Sequence, residues 1–179
     1  MKFLKFILIA IIGIVALLLI VALFTKKDYS AIREVTINKP KSDVFEYVKL
    51  LKNQDNYSVW ANIDPEMKKD FRGTDGTVGF TSFWDSKNPD VGKGEQEILK
   101  IIDGERIEYE IRFIEPFAST SLAYMAVEGI FETQTKVKWG FTGKMKYPTN
   151  LLLLTMDMEG MTGKDFQDGL NKLKMLLEK

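Results

Sequence analysis

Residues 6–24 read FILIAIIGIVALLLIVALF, nineteen positions without one polar side chain. At about 1.5 Å of rise per residue such a helix spans roughly 28 Å, close to the hydrocarbon thickness of a bilayer. A core helix of that length would present a polar face. This one presents none, so it is expected to cross a membrane. A cleaved signal peptide is the competing reading. Lys2 and Lys5 supply a positive start, but the apolar run exceeds what such a peptide needs, and its exit, ALFTKKD, lacks a small-x-small site. The lipid bilayer is thus the expected partner of residues 4–24. The chain divides into an anchor with a short linker, 1–28, and a folded domain, 29–179. Lys2 and Lys5 flank one end of the span and Lys26, Lys27 and Arg33 the other, so charge bias nearly cancels. A five-residue tail is simple to leave in the cytoplasm, which puts the domain of this single-pass chain on the outer side. Residues 25–30 leave little slack, so the domain is expected to ride close to the lipid surface.

Composition removes several functions. The chain has no cysteine and no histidine. Disulfides, thiolate metal sites, Ser-His-Asp triads and most zinc sites fall away with them. Acidic and basic residues balance at 25 each and no basic stripe appears, so nucleic acid is not an expected partner. The Gly-rich stretch GTDGTVG lacks the lysine and following helix of a phosphate loop, and reads as a hairpin turn.

Past the linker the pattern predicts one strand, 31–38, then a helix opened by Pro40 with its cap near Asn38 or Lys39. Val44, Phe45, Val48 and Leu51 supply its apolar face. A second short helix or a wrapped turn containing Tyr57 and Trp60 is expected over 53–63. Strands follow without helical interruption at 69–72, 78–85, 92–102, 105–115, 119–132 and 135–143, separated by turns such as Asp103-Gly104. Alternation is clearest where Ile107, Tyr109, Ile111 and Phe113 interleave with Arg106, Glu108, Glu110 and Arg112, giving one wet face and one covered face. The segment 148–161 is expected to be helical and broken near Gly160 and Gly163. A final helix is expected to start at a capping box over 162–165, with Phe166, Leu170, Leu173 and Leu177 as its stripe. The fold class is α+β. A curling antiparallel sheet covered by one helix leaves part of its hollow unfilled.

The elements REVTINKPKSDVFEYV, NYSVW, VGKGEQEI, GERIEYEIRF, TKVKWGFTG and GKDFQDGLNKLKMLLE, in that order, resemble the START-related SRPBCC superfamily. Its polyketide cyclase/dehydrase and lipid-transport group is the nearest part, and the resemblance covers about 31–179. It implies a helix-grip fold, in which a curved sheet grips the C-terminal helix over an apolar pocket. It also implies binding of lipids, sterols, polyketides or quinones. No catalytic residue and no cofactor is implied, and the anchor is an addition to the basic domain.

Strand parity and the aromatic inventory nominate Trp84, Tyr109, Ile111, Phe113, Trp139 and Phe141 as pocket residues facing the last helix. Met156, Met158 and Met161 are nominated as adaptable apolar cover. The bland alternative for each is ordinary core packing. In GEQEI, parity with Ile98 turns Gln96 inward, where its amide would orient a polar ligand head or bond neighbouring backbone. The expected function is membrane-anchored binding or transport of a hydrophobic small molecule. Two alternatives remain. One is a cyclase or dehydratase with Glu128, Tyr109 or Tyr124 handling protons; the other is an interaction module of the chaperone-regulator kind, with a filled interior and an exposed apolar patch.

Overall fold

The computed structural model describes residues 2–179. Helix α1, Lys2–Phe24, projects from the domain, and its side chains from Phe3 to Val21 are exposed; among its described side chains only that of Ala22, in its last turn, is buried. It is one helix long and apolar enough to cross a membrane. Strand β1, Asp28–Ile37, follows after three residues and leads into α2, Lys41–Lys49. Pro40 stands at the N-cap and makes no side-chain cap bond there, so neither Asn38 nor Lys39 caps the helix. Instead of one helix over 53–63 there are two short 3₁₀ stretches, Leu51–Asn56 and Trp60–Asn62. The carboxylate of Asp75 reaches across from a hairpin turn to accept from the amides of Leu51 and Lys52, satisfying donors that a continued helix would have bonded.

Six strands then run in sequence: β2 Lys68–Arg72, β3 Thr81–Asp85, β4 Lys93–Ile102, β5 Arg106–Glu115, β6 Ser119–Phe131 and β7 Gln134–Lys144. They form one antiparallel sheet with β1, in the order β1-β7-β6-β5-β4-β3-β2. Its outer face is charged. Arg112 on β5 binds Glu95 at 2.6 Å and Glu97 at 2.7 Å on β4, and Glu110 on its own strand, fixing the register of the two strands. Glu128 also lies on this face, beside Lys138.

Helix α3, Met158–Leu177, lies on the inner face. It starts four residues before the expected capping box and runs through both glycines unbroken. Asp157 is the true cap, its carboxylate accepting from the amide of Gly160 at 2.8 Å. At Gly163 the guanidinium of Arg33 occupies the space a Cβ would need. That glycine therefore marks a close approach to β1 and not a break. Residues 149–154 form a further 3₁₀ stretch. Toward one end of the sheet the core is solid: Val44, Phe45 and Val48 of α2 pack with Ile37, Ile107, Met125, Val127, Val137, Leu170 and Leu173.

Leu170 is fully buried while Leu122 of the outer face is more than half exposed. Leu170→Ala should lower the unfolding free energy by about 2–5 kcal/mol. Leu122→Ala should change it by less than about 0.5 kcal/mol. Urea titrations of the two variants check this, and equal losses would refute the assignment of faces.

Candidate functional site

The hollow between sheet and α3 is divided by an aromatic contact. Trp139 of β7 stacks on Phe166 of α3 with centroids 4.4 Å apart and planes 4° from parallel. Tyr57 meets Trp139 edge-on at 5.7 Å, and Trp60 and Phe141 meet Phe166 at 5.8 and 6.3 Å. On one side of this cluster lies the packed core. On the other lies a cavity of about 330 Å³, within the usual range for small-molecule sites.

Its walls come from four places. The sheet supplies Ser82, Trp84, Gln96, Ile111, Phe113, Trp139 and Phe141. The 3₁₀ stretches and the turn between them supply Leu51, Gln54, Asp55, Ser58 and Trp60, and α3 supplies Met158, Thr162 and Phe166. Tyr29 closes the side at β1, and Met67, Lys69, Asp90 and Val91 surround the opening. Trp84 lies over Gly94, its cross-strand partner, where a Cβ would strike both the indole and the Arg112 carbonyl 2.7 Å away. The absence of a side chain at Gly94 thus lets the indole lie flat and meet Phe113 edge-on at 6.1 Å.

Seven of the ten sequence-nominated residues therefore share this cavity: Trp84, Gln96, Ile111, Phe113, Trp139, Phe141 and Met158. Gln96 faces inward as Glu95 and Glu97 turn out to Arg112. Three do not share it. Tyr109 has the right face but sits further along β5, 1 % exposed in the solid core. Met156 and Met161 are exposed: Met156 precedes the Asp157 cap of α3, and Met161 lies on the outward side of its first turn; of the three methionines only Met158 lines the cavity. The proton handlers considered above are not gathered here either. Glu128 and Tyr124 belong to the outer face, Tyr124 with its ring beneath Arg106 at 3.7 Å.

Sequence reasoning missed Gln54. It is 9 % exposed, lines the cavity, and its Nε2 has no hydrogen-bond partner among the described residues. A buried amide donor without an acceptor is costly, so the cavity presents an unused hydrogen bond. At the opening Lys69 pairs with Asp55 at 2.8 Å. The site's interior thus offers apolar surface with a few uncharged polar groups, and its charged groups, the Lys69–Asp55 pair and Asp90, stand at the mouth.

Behind the partition the hydroxyls of Tyr57 and Tyr109 are buried and lack partners among the described residues. Burial pushes both phenols up; the neighbouring Tyr109 adds to the effect at Tyr57, and Asp75 adds to it at Tyr109.

No protein-family model matches this chain, and no curated protein matches it. Solved structures do. XoxI from Bacillus cereus superposes with a TM-score of 0.59 at 17% identity, over 83% of this chain and 94% of that one. The Aha1 dimer from Colwellia psychrerythraea gives 0.55 at 17%, over 84% and 96%. CalU16 from Micromonospora echinospora gives 0.55 at 11%, over 84% and 76%. At such identities the likeness establishes a shared α+β fold of antiparallel sheet and C-terminal helix.

The two buried phenols have a consequence in alkali. Unfolding releases them to ionise at their usual value near 10. Above that pH the unfolded state binds fewer protons than the folded state, so stability holds below pH 10 and falls as pH rises past it. The expected loss is about 1.4 kcal/mol per pH unit for each tyrosine. Tyr109→Phe should remove one tyrosine's share of that slope in urea titrations between neutral and alkaline pH; an unchanged slope would contradict the burial.

Proposed function

We propose that this chain is a membrane-anchored binding or carrier domain for a hydrophobic small molecule of lipid-like, polyketide-like or quinone-like character. The ligand sits between the sheet and α3, against Trp84, Ile111, Phe113 and Phe141. The observation that carries the reading is the 330 Å³ cavity with its apolar walls and the orphaned Nε2 of buried Gln54. Such a site suits a molecule with a long apolar body and one hydrogen-bond acceptor, a carbonyl or ether oxygen, near Gln54. The sheet, the plugging α2 and the covering α3 support the helix-grip, START-related reading made from the sequence. The interaction module expected from the sequence as an alternative is the rival. That rival calls for a filled interior, and the cavity counts against it. For an enzyme of the cyclase kind, Glu128 and Tyr124 stand on the wrong face of the sheet.

Every residue of the main core lies between 37 and 173, so a chain lacking residues 1–25 retains it. After incubation with a membrane lipid extract, that chain should carry an apolar adduct in native mass spectrometry. Ile111→Trp, which fills the cavity, should carry none. A bare mass for the parent chain, with its fold intact by circular dichroism, overturns the proposal.

Gln54 gives a second test. Trp60, Trp84 and Trp139 line the cavity and report occupancy by their emission. Gln54→Leu should weaken a medium-chain methyl ketone by about 3- to 10-fold and leave the matching alkane unaffected. Equal effects on both compounds would remove Gln54 from ligand recognition.

A further inference from the structure

The pairing register shows which end of the sheet the cavity occupies. Tyr29 pairs with Gly143, Ala123 with Phe141, Ile111 with Ser121, Gln96 with Ile111, Ser82 with Gln96 and Lys69 with Trp84. All belong to the end where β1 starts and β7 finishes. The opposite end is the solid one, plugged by α2. The chain enters β1 at the cavity end, directly from α1.

That entry is fixed, not slack. Three residues separate Phe24 from Asp28, a reach of at most about 14 Å. The amide of Met145 donates to the Lys27 carbonyl at 2.8 Å, tying the linker to the residue after β7. Asn150, fully buried, donates its side-chain amide to the Ala22 carbonyl at 2.8 Å and the Thr25 carbonyl at 3.0 Å. Those are carbonyls of the last turn of α1 and of the residue that follows it, which the helix itself leaves without donors. Residues 149–154 are thereby clamped to the root of α1.

The same end carries an apolar rim. Phe117, in the turn between β5 and β6, is 82 % exposed, and Leu152, Leu154, Met156 and Met161 are also exposed. Lys26, Lys27 and Lys146 lie on the segments that meet at the root of α1, at the level a headgroup layer would occupy. A rim of this kind in water is unfavourable, and apolar side chains with flanking lysines suit the interface of a bilayer.

We infer that the cavity end of the domain docks on the bilayer, with Phe117 and the leucines of Thr149–Leu154 resting in the interfacial layer and the opening turned toward lipid. This rests on α1 spanning the membrane, as proposed above, and holds whatever the ligand is. The docked pose gives an apolar ligand a route between bilayer and cavity without crossing water.

The opposite end provides an internal control. Phe131, the last residue of β6, is 71 % exposed, yet β1 alone, at ten residues, places that end about 33 Å from the root of α1. The chain has no cysteine, so single cysteines can be labelled with a fluorophore one at a time. The full chain is reconstituted in phosphatidylcholine–phosphatidylglycerol nanodiscs containing nitroxide-bearing lipid. Val15→Cys, within α1, reports the anchor; Phe117→Cys and Leu154→Cys report the rim; Phe131→Cys reports the far end. The expected result is loss of emission at Val15, Phe117 and Leu154 and none at Phe131. Quenching at Val15 with the rim no more quenched than Phe131 overturns the docking and leaves the anchor standing. Equal quenching at the rim and at Phe131 describes a domain lying on its side and also overturns it. Without quenching at Val15 the anchor fails and the docking with it.

Discussion

Trp139 lies flat on Phe166, and this contact fixes how far α3 stands from the sheet. A helix without that spacer would settle into the concave face until side chains filled the space. The stack holds it off on the cavity side, while Leu170 and Leu173, one and two turns further on, sink fully into the core. One sheet and one helix thus produce a packed half and an open half. The edge-on contacts of Tyr57, Trp60 and Phe141 brace the stack from three directions, so the partition is held by several elements at once. Stability and ligand capacity are assigned to different ends of the molecule, and neither has to be traded against the other.

The charges follow the same division. Arg112 gathers Glu95, Glu97 and Glu110 on the outer face, leaving the inner positions of β4 and β5 to Gln96, Ile98, Tyr109 and Ile111. Within the cavity the polar groups are amides and hydroxyls. Uncharged groups of this kind would accept an apolar guest without the penalty of burying an ion, and under the proposed function the buried unused donor on Gln54 would orient it.

Much of the fold was legible because period-two alternation is a strong signal. Ile107 to Phe113 could be assigned to a face residue by residue, and Gln96 followed from its spacing to Ile98. Parity gives a face but not a depth, which is why Tyr109 was placed with the pocket and lies instead behind the partition. The β7–α3 connection is less legible. Gly160 and Gly163 look like helix breakers, yet one accommodates the Asp157 cap and the other the Arg33 guanidinium, and both reasons are tertiary. The early start of α3 places Met161 on its outward side and leaves Met156 in the exposed segment before the Asp157 cap. Gln54 sits in a 3₁₀ stretch without periodicity, so nothing local distinguished it from a surface glutamine.

The central claim is that the space between sheet and α3, on the open side of the Trp139–Phe166 stack, is unfilled by the protein's own side chains. Xenon tests this most directly, because the atom enters dry apolar cavities and has no affinity for well-packed interiors. Crystals of the chain lacking residues 1–25, pressurised with xenon and measured by diffraction, should show xenon among Ile111, Phe113, Phe141 and Phe166 and none between α2 and Leu173. Side chains filling that volume, with no xenon within it, would contradict the account.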